Sequence, residues 1–164
     1  MEESIRLFTP IRRSITHSGA ENFLAQIFRG EFSARTSQPR ALLEETVHIG
    51  DRFRVGSAEF VVTQPRMPCF KLGIRFNRPD IVKRFLQSGR SGFYLAVLEE
   101  GEVIAGDSIE LVKQDEHGVT VADIVNLYRR DANNQDLLRR VSELPALPKS
   151  WRDYFFKRLW NPDD

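Results

Sequence analysis

From Glu45 to Lys113 the chain is cut into short segments whose apolar residues fall at every second position, with glycine-bearing breaks between them. Phe53 and Val55 alternate with Arg52 and Arg54, Gly56-Ser57 interrupts, and Phe60 and Val62 resume on one face of a run from Ala58 to Thr63. A period of two marks half-buried strands. A two-residue break that begins with glycine fits a type II′ hairpin, because glycine takes the positive φ of the first turn position. Val47 and Ile49 around His48, Tyr94 to Leu98, Val103-Ile104, and Ser108 to Val112 read as further strands, with Glu99-Glu100-Gly101 as a turn. Ile49-Gly50-Asp51 and Ala105-Gly106-Asp107 each set a Gly-Asp turn ahead of a strand, one small device used twice in a barrel or sandwich.

Helical signals stand between and after the strands. Over about residues 79–88, Asn77 is a cap, Pro79 fits the first turn, and Asp80 complements the helix dipole. Ile81, Val82, Phe85 and Leu86 form its apolar face, and Gly89 is a stop. Past Gly118, Thr120 with Asp123 makes a capping box ahead of Ile124, Val125, Leu127 and Tyr128. Asn133-Asn134 opens a second helix with Leu137, Leu138, Val141 and Leu144, which Pro145 and Pro148 end. Ser150 caps a third, carrying Trp151, Tyr154, Phe155 and Leu159. Three helices this short cannot build a robust core alone and are expected to pack together or on the strands. Residues 1–40 read as irregular, with Arg12-Arg13, a polar stretch from Ser33 to Pro39, and a short helical pattern of Phe23, Ile27 and Phe28.

Composition narrows the function classes. One cysteine in 164 residues excludes an internal disulfide and a Cys-based zinc site. A formal net charge of +1 gives no global pull toward nucleic acid or an anionic membrane. A helix-turn-helix DNA binder is the alternative for the C-terminal helices. There Arg129, Arg130, Arg139, Arg140, Lys149, Arg152, Lys157 and Arg158 are nearly balanced by acidic residues, so no phosphate footprint emerges. The acidic start Met1-Glu2-Glu3-Ser4 is unlike a signal peptide, and no run approaches the ~20 apolar residues of a membrane helix. A cytoplasmic protein without membrane or nucleic-acid partners is expected.

Cys69 is the residue with chemistry to explain. It sits in Gln64-Pro65-Arg66-Met67-Pro68-Cys69-Phe70-Lys71-Leu72, directly after a strand. Two prolines stiffen that loop against strand or helix formation. Arg66 and Lys71 favour the thiolate, which is both a nucleophile and a soft metal ligand. The bland alternative is a buried cysteine acting as a small hydrophobe. A cysteine-protease reading needs a partnered histidine, and nothing in the sequence ties His17, His48 or His117 to Cys69.

The same segment closely resembles the cysteine loop of MOSC domains, named for the C-terminal domain of molybdenum cofactor sulfurases, and best matches their YiiM-type subgroup. Further stretches agree in order: Val47-His48-Ile49-Gly50-Asp51-Arg52-Phe53, Arg78-Pro79-Asp80-Ile81-Val82-Lys83-Arg84, and Ser88-Gly89-Arg90-Ser91-Gly92-Phe93-Tyr94. Leu98 to Val103 followed by Gly106-Asp107 extends the likeness, which runs from about Leu42 to Leu159. The resemblance implies a mainly β fold with helices, a pyruvate-kinase-barrel-like β-barrel followed by a small three-helix module. It also implies a molybdenum pyranopterin cofactor with Cys69 as the metal ligand and catalytic centre. Arg66, Lys71, Arg90 and Ser91 would hold the cofactor; for Arg75 solvated surface charge is the better reading. Members of the subgroup reduce N-hydroxylated compounds such as N-hydroxylated purines, with electrons from a separate flavin-dependent reductase. No domain with a cofactor lysine is visible, so pyridoxal phosphate is not expected.

The front of the chain departs from that pattern. No His-Gly-Gly segment occurs, His17-Ser18-Gly19 is a poor stand-in, and Glu21-Asn22-Phe23 echoes Gly-Glu-Asn too far ahead of Leu42. The expected organisation is therefore an atypical segment over 1–40, an incomplete barrel over 41–114 continuing to 117, and three helices over 118–164. Exposed ladder edges in such a barrel would be covered by the front segment or by a second chain in a homodimer. The alternative function is a non-catalytic MOSC-like binding protein without a complete cofactor pocket.

Overall fold

The computed structural model describes residues 12–15, 42–104, 107–129 and 134–160. Its strands are β1 (Arg12–Ile15), β2 (Arg52–Val55), β3 (Ala58–Pro65), β4 (Phe93–Glu99), β5 (Gly101–Ile104) and β6 (Ile109–Lys113). Its helices are α1 (Lys71–Phe76), α2 (Ile81–Gln87), α3 (Val121–Tyr128), α4 (Gln135–Glu143) and α5 (Lys149–Trp160). The strands form an antiparallel four-stranded sheet in the order β4-β3-β2-β6 and a two-stranded ribbon of β1 with β5. The sheet is not closed among the described residues, and the architecture they form is mixed α/β with an open antiparallel sheet.

The hairpin of β2 and β3 follows the sequence. Val55 pairs with Ala58 across Gly56-Ser57, and only the first of those two residues has positive φ (+58°), as a type II′ turn requires. Gly56 is needed for space as well, since a Cβ there would lie 2.3 Å from the Glu102 carbonyl oxygen. Gly101 is similarly confined, 2.6 Å from Ser57. The turn tip therefore docks on β5: Ser57 N–H donates to Glu102 O at 3.1 Å, and Glu102 N–H donates to Ser57 Oγ at 2.8 Å. On β3, Ala58, Phe60 and Val62 point to one fully buried face.

The aspartates of the two Gly-Asp segments make matching hydrogen bonds, although Ala105 and Gly106 of the second lie outside the described residues. Asp51 N–H donates to His48 O (3.2 Å) while its carboxylate accepts His48 N–H (2.8 Å). Asp107 makes the same pair with Ile104, at 3.0 and 2.8 Å. Asp51 alone is fully buried, and its second carboxylate oxygen accepts the N–H of Asp115 at 2.8 Å.

Several local expectations are corrected. Val47–Ile49 is not a strand but a turn with one isolated bridge, His48 to Thr120, because its peptide groups are shared between the sheet and the helical module. Arg12 and Arg13, read as irregular, lie in β1, whose partner β5 lies distant in sequence and so left no local signal. Asn77 is not the cap of α2: it closes α1 in the left-handed conformation (φ 48°, ψ 42°), which asparagine tolerates, and α2 starts after Asp80. Helix α1 was itself unexpected, since the prolines stiffen only the residues before it. Ser150 lies inside α5, which begins at Lys149 after Pro148. The pattern of Phe23, Ile27 and Phe28 falls outside the described residues.

Other signals hold. Thr120 and Asp123 form the reciprocal capping box, and Asn134 caps α4 through Leu137 N–H. Gly89 follows the last helical turn of α2 at φ +67°. The helices contribute Val121, Ile124, Leu127, Leu138, Val141 and Phe155 to the same buried cluster as Phe53, Phe60, Val62 and Leu95. The three helices thus share the core of the sheet, as their small size demands.

Replacing Asp51 by alanine strands two half-buried N–H groups, those of His48 and Asp115, and empties a buried position, so D51A is expected to lose about 2–4 kcal/mol of unfolding free energy in urea titration, and D107A about 1 kcal/mol. Equal losses would mean that burial does not separate the two copies.

Candidate functional site

The cysteine loop leaves the sheet where β3 ends at Pro65. Pro65 and Pro68 bring no N–H groups, which leaves Arg66 to anchor the loop. Arg66 N–H donates to Gly92 O at 2.9 Å and ties the loop to the segment Ser88–Gly92 between α2 and β4. Cys69 follows, just ahead of α1. Its Sγ accepts the Lys71 N–H at 3.3 Å and its carbonyl accepts the Leu72 N–H at 3.0 Å. The thiol is exposed, which overturns the alternative of a buried cysteine. Phe70 (72% exposed) and Ile74 (73%) stand beside it without a core to enter.

The facing segment is built by two glycines in the left-handed region, Gly89 and Gly92 (φ +67° and +69°). Ser91 is buried between them, with its hydroxyl donating to Gly92 O at 2.8 Å. Arg90 turns away to two carboxylates: its Nη1 lies 3.3 Å from Glu44 and 3.1 Å from Glu45. An anion reaching Arg90 must share it with both. Arg66, Lys71 and Arg75 have no ion pair with a described residue, and Lys71 and Arg75 are exposed.

Of the residues singled out in the sequence, the structure joins Lys71 to Cys69, and Arg66 through Gly92 to Ser91 and Arg90. The described histidines are engaged elsewhere, His48 with Asp51 and Gln114, and His117 with Asp115. His17 lies outside the described residues. Glu44 was missed. Its only sequence signal was an acidic pair set between Leu43 and Val47, where burial could not be read. Beyond the loop, the Arg78 guanidinium hydrogen-bonds Asp80 (2.8 Å) and holds its carboxyl below the usual range. That pair contributes above the ordinary aspartate pKa and fades as pH falls through the depressed value; exposure to solvent keeps it a minor effect.

No group of three or more His, Cys, Asp or Glu side chains suited to a metal occurs among the described residues. A metal at Cys69 would take one protein donor and draw its other ligands from a cofactor or substrate. The exposed soft donor and cations that no described carboxylate pairs suit a sulfur-rich, anionic group.

The MOSC domain model matches residues 13–110. The chain belongs to the MOSC-domain family. The model of the YiiM-like 3-alpha helix domain matches residues 119–160 of this MOSC protein. The chain is 37% identical over 138 residues to the uncharacterized protein YflK of Bacillus subtilis (strain 168), covering 84% of this chain and 62% of that one. Protein YiiM of Escherichia coli (strain K12) is 30% identical over 155 residues, 89% of this chain and 69% of that one. A reductase of Gibberella moniliformis (strain M3125 / FGSC 7600) is 34% identical over 103 residues, 62% of this chain but 18% of its own length. The crystal structure of YiiM from Geobacillus stearothermophilus superposes with a TM-score of 0.71 at 29% identity, covering 93% of this chain and 86% of that one. The chain thus spans about three fifths of YflK and under a fifth of the reductase. No described helix is long and apolar enough to cross a membrane.

An exposed Cys69 should react with iodoacetamide in the native protein, with one label per chain and none in C69A. Labelling that requires denaturant would show the thiol to be covered.

Proposed function

We propose that this MOSC protein is an oxidoreductase that carries a molybdenum pyranopterin cofactor on Cys69 and reduces N-hydroxylated compounds. The observation that carries the reading is an exposed thiol on a proline-stiffened loop of a MOSC domain, beside cations that no described carboxylate pairs. The relative named a reductase, of which this chain covers a small part, agrees with redox chemistry.

When bound, the cofactor supplies a redox-active metal with an open position for a substrate oxygen. Cys69 would hold it as a thiolate, with the Lys71 N–H hydrogen-bonded to the sulfur. Arg66 and Lys71 would face its phosphate, since point charges and planar guanidinium forks both suit that anion. Ser91 and Arg90 would shape the wall opposite, with Arg90 held by Glu44 and Glu45. Phe70 and Ile74 offer apolar surface for the flat body of an N-hydroxylated purine. The overall reaction takes two electrons and two protons per N–OH group cleaved and yields an N–H group and water. A flavin-dependent reductase would deliver the electrons, and the exposed Phe156 and Trp160 of α5 offer one surface for it.

A second reading, a MOSC-like binding protein without catalysis, is favoured by Arg90, which Glu44 and Glu45 already occupy. Protein made in a cofactor-competent host decides. About one molybdenum per chain is expected, with a loss of at least about a hundredfold in retained metal in C69A and a smaller loss in a R66E/K71E double variant. Wild-type protein without molybdenum, or metal unchanged in C69A, would establish the second reading.

A further inference from the structure

Glu44 is a buried carboxylate whose part above is limited to holding Arg90. Its side chain is 8% exposed, and burying a charge is costly unless hydrogen bonds satisfy it. One oxygen accepts the N–H of Gly92 at 2.8 Å, and the other takes the guanidinium of Arg90 at 3.3 Å. Its own carbonyl accepts the N–H of Ala122 in the first turn of α3 at 2.9 Å, so the residue is fixed at both ends. Gly92 then passes the constraint on, because its carbonyl accepts the Arg66 N–H, three residues ahead of Cys69. Gly92 is suited to this relay: its φ of +69° aims N–H and C=O at two different segments, a conformation that side chains resist.

We propose that Glu44 is a positioning residue for Cys69, acting through Gly92 and Arg66. Glu44 touches neither thiol nor metal; it sets where the loop leaves the sheet. Its functional meaning rests on the reading of Cys69 as a metal ligand. The test is made on metal-free protein, so failure of molybdenum binding leaves it decisive.

Glutamine keeps an acceptor for Gly92 and discards the charge, whereas alanine discards both. In E44A, amide hydrogen exchange at Arg66 and Gly92 should accelerate about tenfold or more, while E44Q stays within about threefold of wild type. The core amides of Phe53 and Phe60 should exchange as in wild type. Native-state alkylation of Cys69 by iodoacetamide should change rate in E44A and return toward wild type in E44Q. Where E44A fails to fold, E44D, which withdraws the charge from Gly92 by one methylene, carries the same comparison. Unchanged exchange at Arg66, equal acceleration at Phe60, or one alkylation rate for all the proteins would each overturn the proposal.

Discussion

The peptide groups of Val47–Asp51 are divided between two parts of the molecule. Gly50 N–H donates to Val62 O at 2.8 Å and Val62 N–H donates to Asp51 O at 2.9 Å, which seats the turn on β3. On the other side Ile49 N–H donates to Val119 O and Val121 N–H donates to Val47 O, both at 2.9 Å, so the start of the helical module is stitched to the same five residues. Val47 and Ile49 are buried between, and Gly50 has room for no side chain because a Cβ would sit 2.4 Å from the Asp115 carboxylate. Sheet, helices and the approach to Glu44 all hang on this crossing.

How much of the fold could be read beforehand depended on the range of the forces involved. The Gly56-Ser57 hairpin, the Thr120–Asp123 capping box and the Asn134 cap are made within three or four residues, and each is where its residues said. The alternation at Val47 and Ile49 correctly marked burial but not a strand, since periodicity reports which side chains turn inward and not which backbone receives their hydrogen bonds. Strand β1 pairs with residues some ninety positions away, beyond any local pattern. Asn77 was read as the start of the helix after it, and its left-handed φ instead closes a helix before it that no local pattern announced.

The site divides in the same way. Cys69, Arg66 and Lys71 stood out because prolines, thiol and cations are contiguous in the chain. Arg90 and Ser91 were noticed as a glycine-bracketed turn, yet the two carboxylates that occupy Arg90 lie 45 and 46 positions earlier. Charge in a sequence shows supply; only the fold shows which charges are already spent.

The shared core also separates inheritance from stability. One family match ends at residue 110 and the next begins at residue 119, as though a sheet and a helical appendage had been joined. Physically there is no seam to cut there. Ile124 and Leu127 lie in the same buried cluster as Phe60 and Val62, and detaching the helices would hydrate both faces at once. Two stretches that match separate family models therefore share one buried core, and the helices form a wall of the sheet rather than an attachment to it.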